Sequence, residues 1–159
     1  ECTLDTFPHP EMRFDMITLL DVIEHVDDDG GLLRQARSFL KTSGRILITV
    51  PAYKFLWSSH DDINHHKRRY VKAQLLEKME GAGFDVIYLS YFNTLLFPFA
   101  FAARIISKFI PSKSDSTLDI PSHTVNSLLT KIFSFEKQLL TYLSLPFGLS
   151  LIAVGNLKK

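Results

Sequence analysis

The chain has 159 residues, 46% hydrophobic and 22% charged, which suffices for one domain with a real core and excludes a disordered segment. A single cysteine, Cys2, excludes a disulfide framework and a multi-cysteine metal site, and fits a reducing compartment. The formal net charge of +1 hides an asymmetry: residues 1–30 hold nine acids against one arginine, and the remainder seventeen bases against eight acids. That division either orients a charged ligand between the two parts or is scattered solubilising charge.

The opening stretch ECTLDTFPHP has neither a basic start nor an apolar core, so it does not read as a signal peptide. Without an initiator Met, the protein is expected to continue upstream. Residues 14–21, FDMITLLD, form a nearly continuous apolar run that suits a strand covered on both faces. Leu32, Leu33, Ala36, Phe39 and Leu40 then recur at helical spacing, with acids before the start and Gly44 fitting the stop. RILITV, 45–50, is a β-branched strand ended by Pro51. Strand, helix and strand here make a βαβ unit. The pattern recurs: the polar stretch SSHDDINHHKRRY (58–70) precedes a helix with Val71, Leu75, Leu76 and Met79 on one face, and a strand over 84–91 follows.

From residue 92 the character changes. FNTLLFPFAFAARIISKFI is aromatic and apolar, yet its unbroken apolar stretch from Leu95 to Ala103 is nine residues, where a bilayer crossing needs about 20. A Ser/Pro/Asp loop, an amphipathic helix near 123–143 and a last strand near 149–156 complete the chain. The expected architecture is α/β: a Rossmann-like, mostly parallel sheet from 1–91 and 148–159, with an aromatic-rich helical insertion over 92–147 before the last strand.

Ligands of such sheets bind beyond the carboxyl ends of the strands, here LLDVIEH (19–25) and TVPAY (49–53). A nucleotide-type cofactor normally also needs a glycine-rich turn after a strand, and no G-x-G follows a strand in this sequence. The order FDMITLLDVIEHVDD, LLRQARSFLKTSGRILITVPAY, LWSSHDDINHHKRRY, SYFNTLLFP and LPFGLSLIAV resembles the later part of class I S-adenosylmethionine (SAM)-dependent methyltransferases, within a bacterial subgroup resembling types 11 and 12. The resemblance runs from about Phe14 to the end. It implies a C-terminal portion of such an enzyme, lacking the first strands, the glycine-rich loop and the acidic ribose-binding residue. It also implies a cytoplasmic protein, and a piece that by itself binds SAM weakly or not at all and is inactive.

The resemblance places Leu20, Asp21 and Val22 on the methyl-donor side of the cofactor, and Cys2 and Thr3 near its adenine edge. Glu24 is a candidate for substrate contact and His25 for a base, since its charge moves easily near neutral pH; the alternative is that Glu24 and His25 fix their loop by hydrogen bonds. Asp27, Asp28 and Asp29 cannot converge on one ion and read as charges at a helix start. His60, His65, Arg68, Arg69 and Tyr70 are candidates for acceptor binding, the arginines suiting an anionic group; a solvated helix entry is the competing reading. No metal site is expected, and no nucleic acid, since KRR alone makes no basic face. The acceptor is expected to be a small molecule or a lipid- or glycan-like compound. The 92–147 segment reads as core extension, as a lid, or as a peripheral membrane contact through 92–110 with Arg104, Lys108 and Lys113 at the headgroups. Two other functions stay open: a non-catalytic binding module, and a metal-dependent hydrolase using His60, Asp61 and His65.

Overall fold

The computed structural model describes residues 9, 11–109 and 123–158. The β-branched run after Gly44 becomes the centre of β2 (Leu40–Pro51), where Ile46, Ile48 and Val50 are fully buried and the alternate Leu47 and Thr49 are half-buried. That two-residue period is the signature of a strand with one closely covered face. β1 (Phe14–Leu20) pairs with β2 in parallel, and β4 (Ser150–Leu157) lies antiparallel between β2 and β3 (Phe84–Phe92). The four-stranded order is β1-β2-β4-β3. The sheet is Rossmann-like, with its last strand inserted against the direction of the other three.

α1 (Asp29–Ser38) joins β1 to β2, and α3 (Lys72–Gly81) precedes β3. Leu33 and Ala36 of α1 and Leu75 and Met79 of α3 are buried in one core with Ile46, Ile48, Leu151, Ala153 and Phe84. Asp28 caps α1, accepting from the Gly31 amide at 2.7 Å, as a carboxylate at the positive end of a helix should. α1 ends a turn earlier than its apolar spacing suggests. Phe39 and Leu40 are indeed buried, but as the entry to β2, because the Phe39 carbonyl accepts the Phe14 amide at 2.8 Å and starts the strand pairing.

β1 departs from its expected burial. Only Leu19 is buried, while Phe14, Met16 and Leu20 are 36%, 54% and 54% exposed. The apolar run is a strand as expected, but among the described residues it is an edge strand, paired on one side only.

α4 (Phe97–Phe109) and α5 (His123–Tyr142) lie in the chain between β3 and β4. Pro98 falls in the first turn of α4, where its missing N–H costs nothing. α5 is tied to β3 by the Tyr88 hydroxyl, which donates to the Leu140 carbonyl at 2.9 Å. Glu136 of α5 is buried and accepts from the amides of Asn93 and Leu95 in the connection to α4. Among the described residues no helix is long and apolar enough to cross a membrane. Cys2, Thr3 and Lys113, and the side chains of Arg104 and Lys108, lie outside the described residues.

Candidate active site

The chain leaves β1 at Asp21, whose φ of 51° is a left-handed conformation costly for a non-glycine residue. Its amide is held by the Thr49 carbonyl and hydroxyl of β2, at 3.0 and 3.1 Å. A single 3-10 turn, Ile23–His25, follows. β2 leaves the sheet beside it through Pro51 and Tyr53, the latter also left-handed at φ 56°. The chain then makes α2 (Ser59–Ile63) and returns, so that Ala52 bridges to Tyr70. The Lys67 amide donates to the Glu24 carbonyl at 2.8 Å, which clamps the returning segment onto the turn after β1. Two loops joined by a contact 43 residues apart in sequence thereby share one rim at the carboxyl end of the parallel pair, where open α/β sheets bind ligands.

Asp61 organises this rim. It is fully buried and accepts five hydrogen bonds: Arg69 Nε and Nη2 at 2.7 and 3.0 Å, His66 Nδ1 at 2.9 Å, and the Ser58 amide and hydroxyl at 2.8 and 3.0 Å. Burial pushes the carboxyl up, but the donors from Arg69 and His66 outweigh it and hold Asp61 at about 2. Arg69 also donates to the Ala52 carbonyl at 3.0 Å, which pins the loop to the end of β2. Glu24 has the opposite situation. It is fully buried, and neither carboxylate oxygen has a hydrogen-bond partner among the described residues. Burial, with the nearby charge of Asp21 adding to it, pushes its carboxyl up to about 7. A cavity of about 490 Å³ opens between these loops, lined by Asp21, Glu24, His25, His60, Asn64, His66 and Arg69 on the polar side and by Pro51, Leu56, Ala100 and Leu149 on the apolar side.

The sequence matches the methyltransferase-domain family over residues 3–89, more than half of the chain. The chain belongs to that family. Its sheet is the class I SAM-dependent methyltransferase fold. A SAM-dependent methyltransferase from Archaeoglobus fulgidus superimposes with a TM-score of 0.51 at 20% identity, over 96% of this chain and 62% of that one. A SAM-dependent methyltransferase from Thermotoga maritima gives 0.51 at 18%, over 99% and 62%. The [4+2]-cyclase SpnF gives 0.53 at 17%, over 99% and 55%. This methyltransferase domain therefore spans less than two thirds of the length of these three structures. The cyclase shows that the fold alone does not dictate methyl transfer. No curated protein matches the sequence.

Within the methyltransferase domain, Asp21, Glu24, His25, His60 and Arg69 of the sequence-derived candidates meet at the cavity. Leu20 and Val22 flank Asp21 but are exposed and do not line it. Arg68 and Tyr70 are committed elsewhere. Arg68 donates to the carbonyls of Val26 and Asp27, both at 2.9 Å, and pairs with Asp29 at 3.1 Å; the Tyr70 hydroxyl donates to Asp29 at 2.9 Å. They act as braces between the returning loop and α1, and Arg69 is likewise bonded to Asp61 and Ala52, so all three candidates for an anionic acceptor also hold the loop. His65 is exposed, turned outward by a left-handed φ of 56°, and it is the adjacent His66 that faces inward. The pair HH could not reveal which imidazole points in, because the turn between them decides it. The triple His60, Asp61 and His65 is not brought together: the Asp61 carboxylate closes on Arg69, His66 and Ser58, and His65 is exposed.

An aromatic cluster links Tyr53, at the exit of β2, to α4. Tyr53 stacks on Tyr91 and on Phe55, each at 5.0 Å between centroids, and meets Phe97 of α4 at 5.8 Å. Phe97 continues to Phe101 and Phe147 at 6.0 and 5.5 Å. Gly148 permits the chain to pass Phe92 here, because a Cβ would collide with the Phe92 carbonyl.

Proposed function

We propose that this chain forms the acceptor side of a SAM-dependent methyltransferase, whose cofactor supplies an electrophilic sulfonium methyl to an acceptor atom. The match to the methyltransferase-domain family over residues 3–89 carries this reading. The residues present fit one side of such a cofactor only. Asp21, at the end of β1, offers a carboxylate at the rim, but no glycine-rich turn follows a strand of this sequence to cradle the nucleoside. The exposed Met16 and Leu20 on β1, an edge strand among the described residues, support a parent protein with further strands on that side.

In this reading the chain's own residues do three things. The Asp61–Arg69–His66 network fixes the loop geometry, which matters because methyl transfer from a sulfonium depends chiefly on alignment. Glu24 and His25 present polar groups to the acceptor. The apolar side of the cavity, Pro51, Leu56, Ala100 and Leu149, favours an acceptor with an apolar part, a small molecule or a lipid-like or glycan-like compound. Phe99, 72% exposed on α4, supports a lid or a peripheral membrane contact for this segment.

Calorimetric titration with S-adenosylhomocysteine tests the proposal on two proteins, residues 1–159 and the complete gene product. Binding is expected only in the complete product. Micromolar binding by residues 1–159 would sink the half-pocket, and no binding by the complete product would sink the methyl-donor reading.

A further inference from the structure

Glu24, His25 and His66, on the polar side of the cavity, have an arrangement that acceptor contact and loop bracing do not account for. The Glu24 carboxylate is completely buried and faces the cavity with both oxygens unpartnered among the described residues. Removing a carboxylate from water with nothing to bond it is among the most costly arrangements in a protein interior. One donor atom each from Glu24, His25 and His66 lie within 4.8 Å of one another. The His25 and His66 rings meet edge to face, with centroids 4.7 Å apart.

His66 is prepared in a particular way. Its Nδ1 faces the Asp61 carboxylate at 2.9 Å, and that carboxylate is ionised, being held by Arg69. An ionised carboxylate only accepts, so Nδ1 carries a proton, and Nε2 is the ring atom left to meet a ligand. A carboxylate behind an imidazole is the arrangement that orients metal-binding histidines and raises their basicity. The surrounding charge agrees: three carboxylates, Asp21, Glu24 and Asp61, stand against one guanidinium, Arg69. Donor atoms around a tetrahedral ion with bonds of about 2.0–2.1 Å stand about 3.3 Å apart, so small side-chain rotations bring the three into range.

We propose that Glu24, His25 and His66 bind a divalent first-row transition-metal ion, with Asp61 orienting His66 behind it. Two imidazoles and one carboxylate favour zinc, cobalt, manganese or iron over magnesium. Three protein ligands leave coordination positions open towards the cavity, where an oxygen of a bound molecule completes the shell. His25 is then a ligand and not a base. This set differs from His60, Asp61 and His65 and from the three consecutive aspartates, neither of which converges on a point. The site stands on its own geometry and holds whether or not the protein transfers methyl groups.

The test begins with chain 1–159 stripped by chelator, shown folded by circular dichroism, and titrated with Co(II) and Zn(II). One equivalent is expected to bind, with visible Co(II) absorption bands reporting nitrogen ligation and Mg(II) failing to compete. Glu24→Gln and His66→Gln each weaken binding by about tenfold or more, while His123→Ala, on the exposed start of α5, leaves it unchanged. No stoichiometric binding by the folded wild type overturns the proposal, as do unchanged affinity in both cavity variants or displacement by equimolar Mg(II). Should either variant lose its fold, substoichiometric Mn(II) added to the wild type decides by nuclear magnetic resonance. Broadening of the His25 and His66 ring signals ahead of His123 supports the site, and equal broadening refutes it. A methyl-transfer reading that fails leaves these outcomes unaffected, because no cofactor enters the measurement.

Discussion

Replacing Asp61 by asparagine keeps volume and shape but reverses half of the bonding pattern. The Asp61 Oδ1 accepts from His66 and Arg69 Nε, and Oδ2 accepts from Arg69 Nη2 and both Ser58 donors. An amide has one accepting oxygen, so its NH2 must face donors on the other side. Arg69 has an 11% exposed side chain and His66 a 12% exposed one, so water cannot take over as partner. A carboxyl held at about 2 instead of the usual 3.8 corresponds to roughly 2–3 kcal/mol favouring the charged form. Breaking one side of a buried ion pair costs about 3–5 kcal/mol by comparison with other proteins. The two routes agree on about 3 kcal/mol. With a urea dependence of about 2 kcal/mol per molar, the unfolding midpoint of Asp61→Asn falls by about 1.5 M. Adding Arg69→Met should recover part of that loss, since the stranded charge disappears with it. A single mutant within about 0.5 kcal/mol of wild type, the level of a neutral surface change, would refute the argument that this network holds the loop.

Three further outcomes follow from the same structure. Asp29 is pushed up by burial, but Lys78 at 2.7 Å, Tyr70 and Arg68 outweigh that and leave its carboxyl below the usual range. Its folded value lies under its unfolded one, so its contribution is full above about pH 4 and is lost as pH falls through the folded value; the stability gap between wild type and Asp29→Asn in urea should shrink from pH 6 towards pH 2. Glu136→Ala strips the Asn93 and Leu95 amides of their acceptor and should cost about 2–4 kcal/mol, with faster hydrogen exchange at 93–97; protection equal to wild type would show that α5 does not depend on this anchor. Met16→Lys and Leu20→Lys place charges on the bare edge of β1 and should lower self-association of residues 1–159 in sedimentation velocity, an unchanged distribution counting against the edge as the sticky surface.

Much of the fold was legible because burial imposes periodicity. Ile46, Ile48 and Val50 alternate, and Leu33, Ala36, Leu75 and Met79 recur at helical spacing, so β2, α1 and α3 could be read directly. β1 could be read as a strand but not as an exposed edge, since an apolar run records what a strand is suited to touch and not what touches it here. The site was half legible. Asp21, Glu24 and His25 stand at a strand end, where topology alone directs attention. Asp61 stands out in the sequence only as a candidate metal ligand and His66 only as part of a polar stretch, and the choice between His65 and His66 depends on one left-handed turn.

The sequence by itself determined the elements, the family resemblance and the absence of a glycine-rich cofactor turn, because these depend on neighbours a few residues away. Only the tertiary structure decided that Arg68 and Tyr70 brace α1, that Arg69 and His66 converge on Asp61, and that Glu24 is buried with its carboxylate unpaired. Those facts depend on a loop folding back over 43 positions to lay Lys67 on Glu24. The physical reason is that hydrogen-bond partnership and desolvation are properties of a place in space, and no local spacing encodes which distant side chains arrive there.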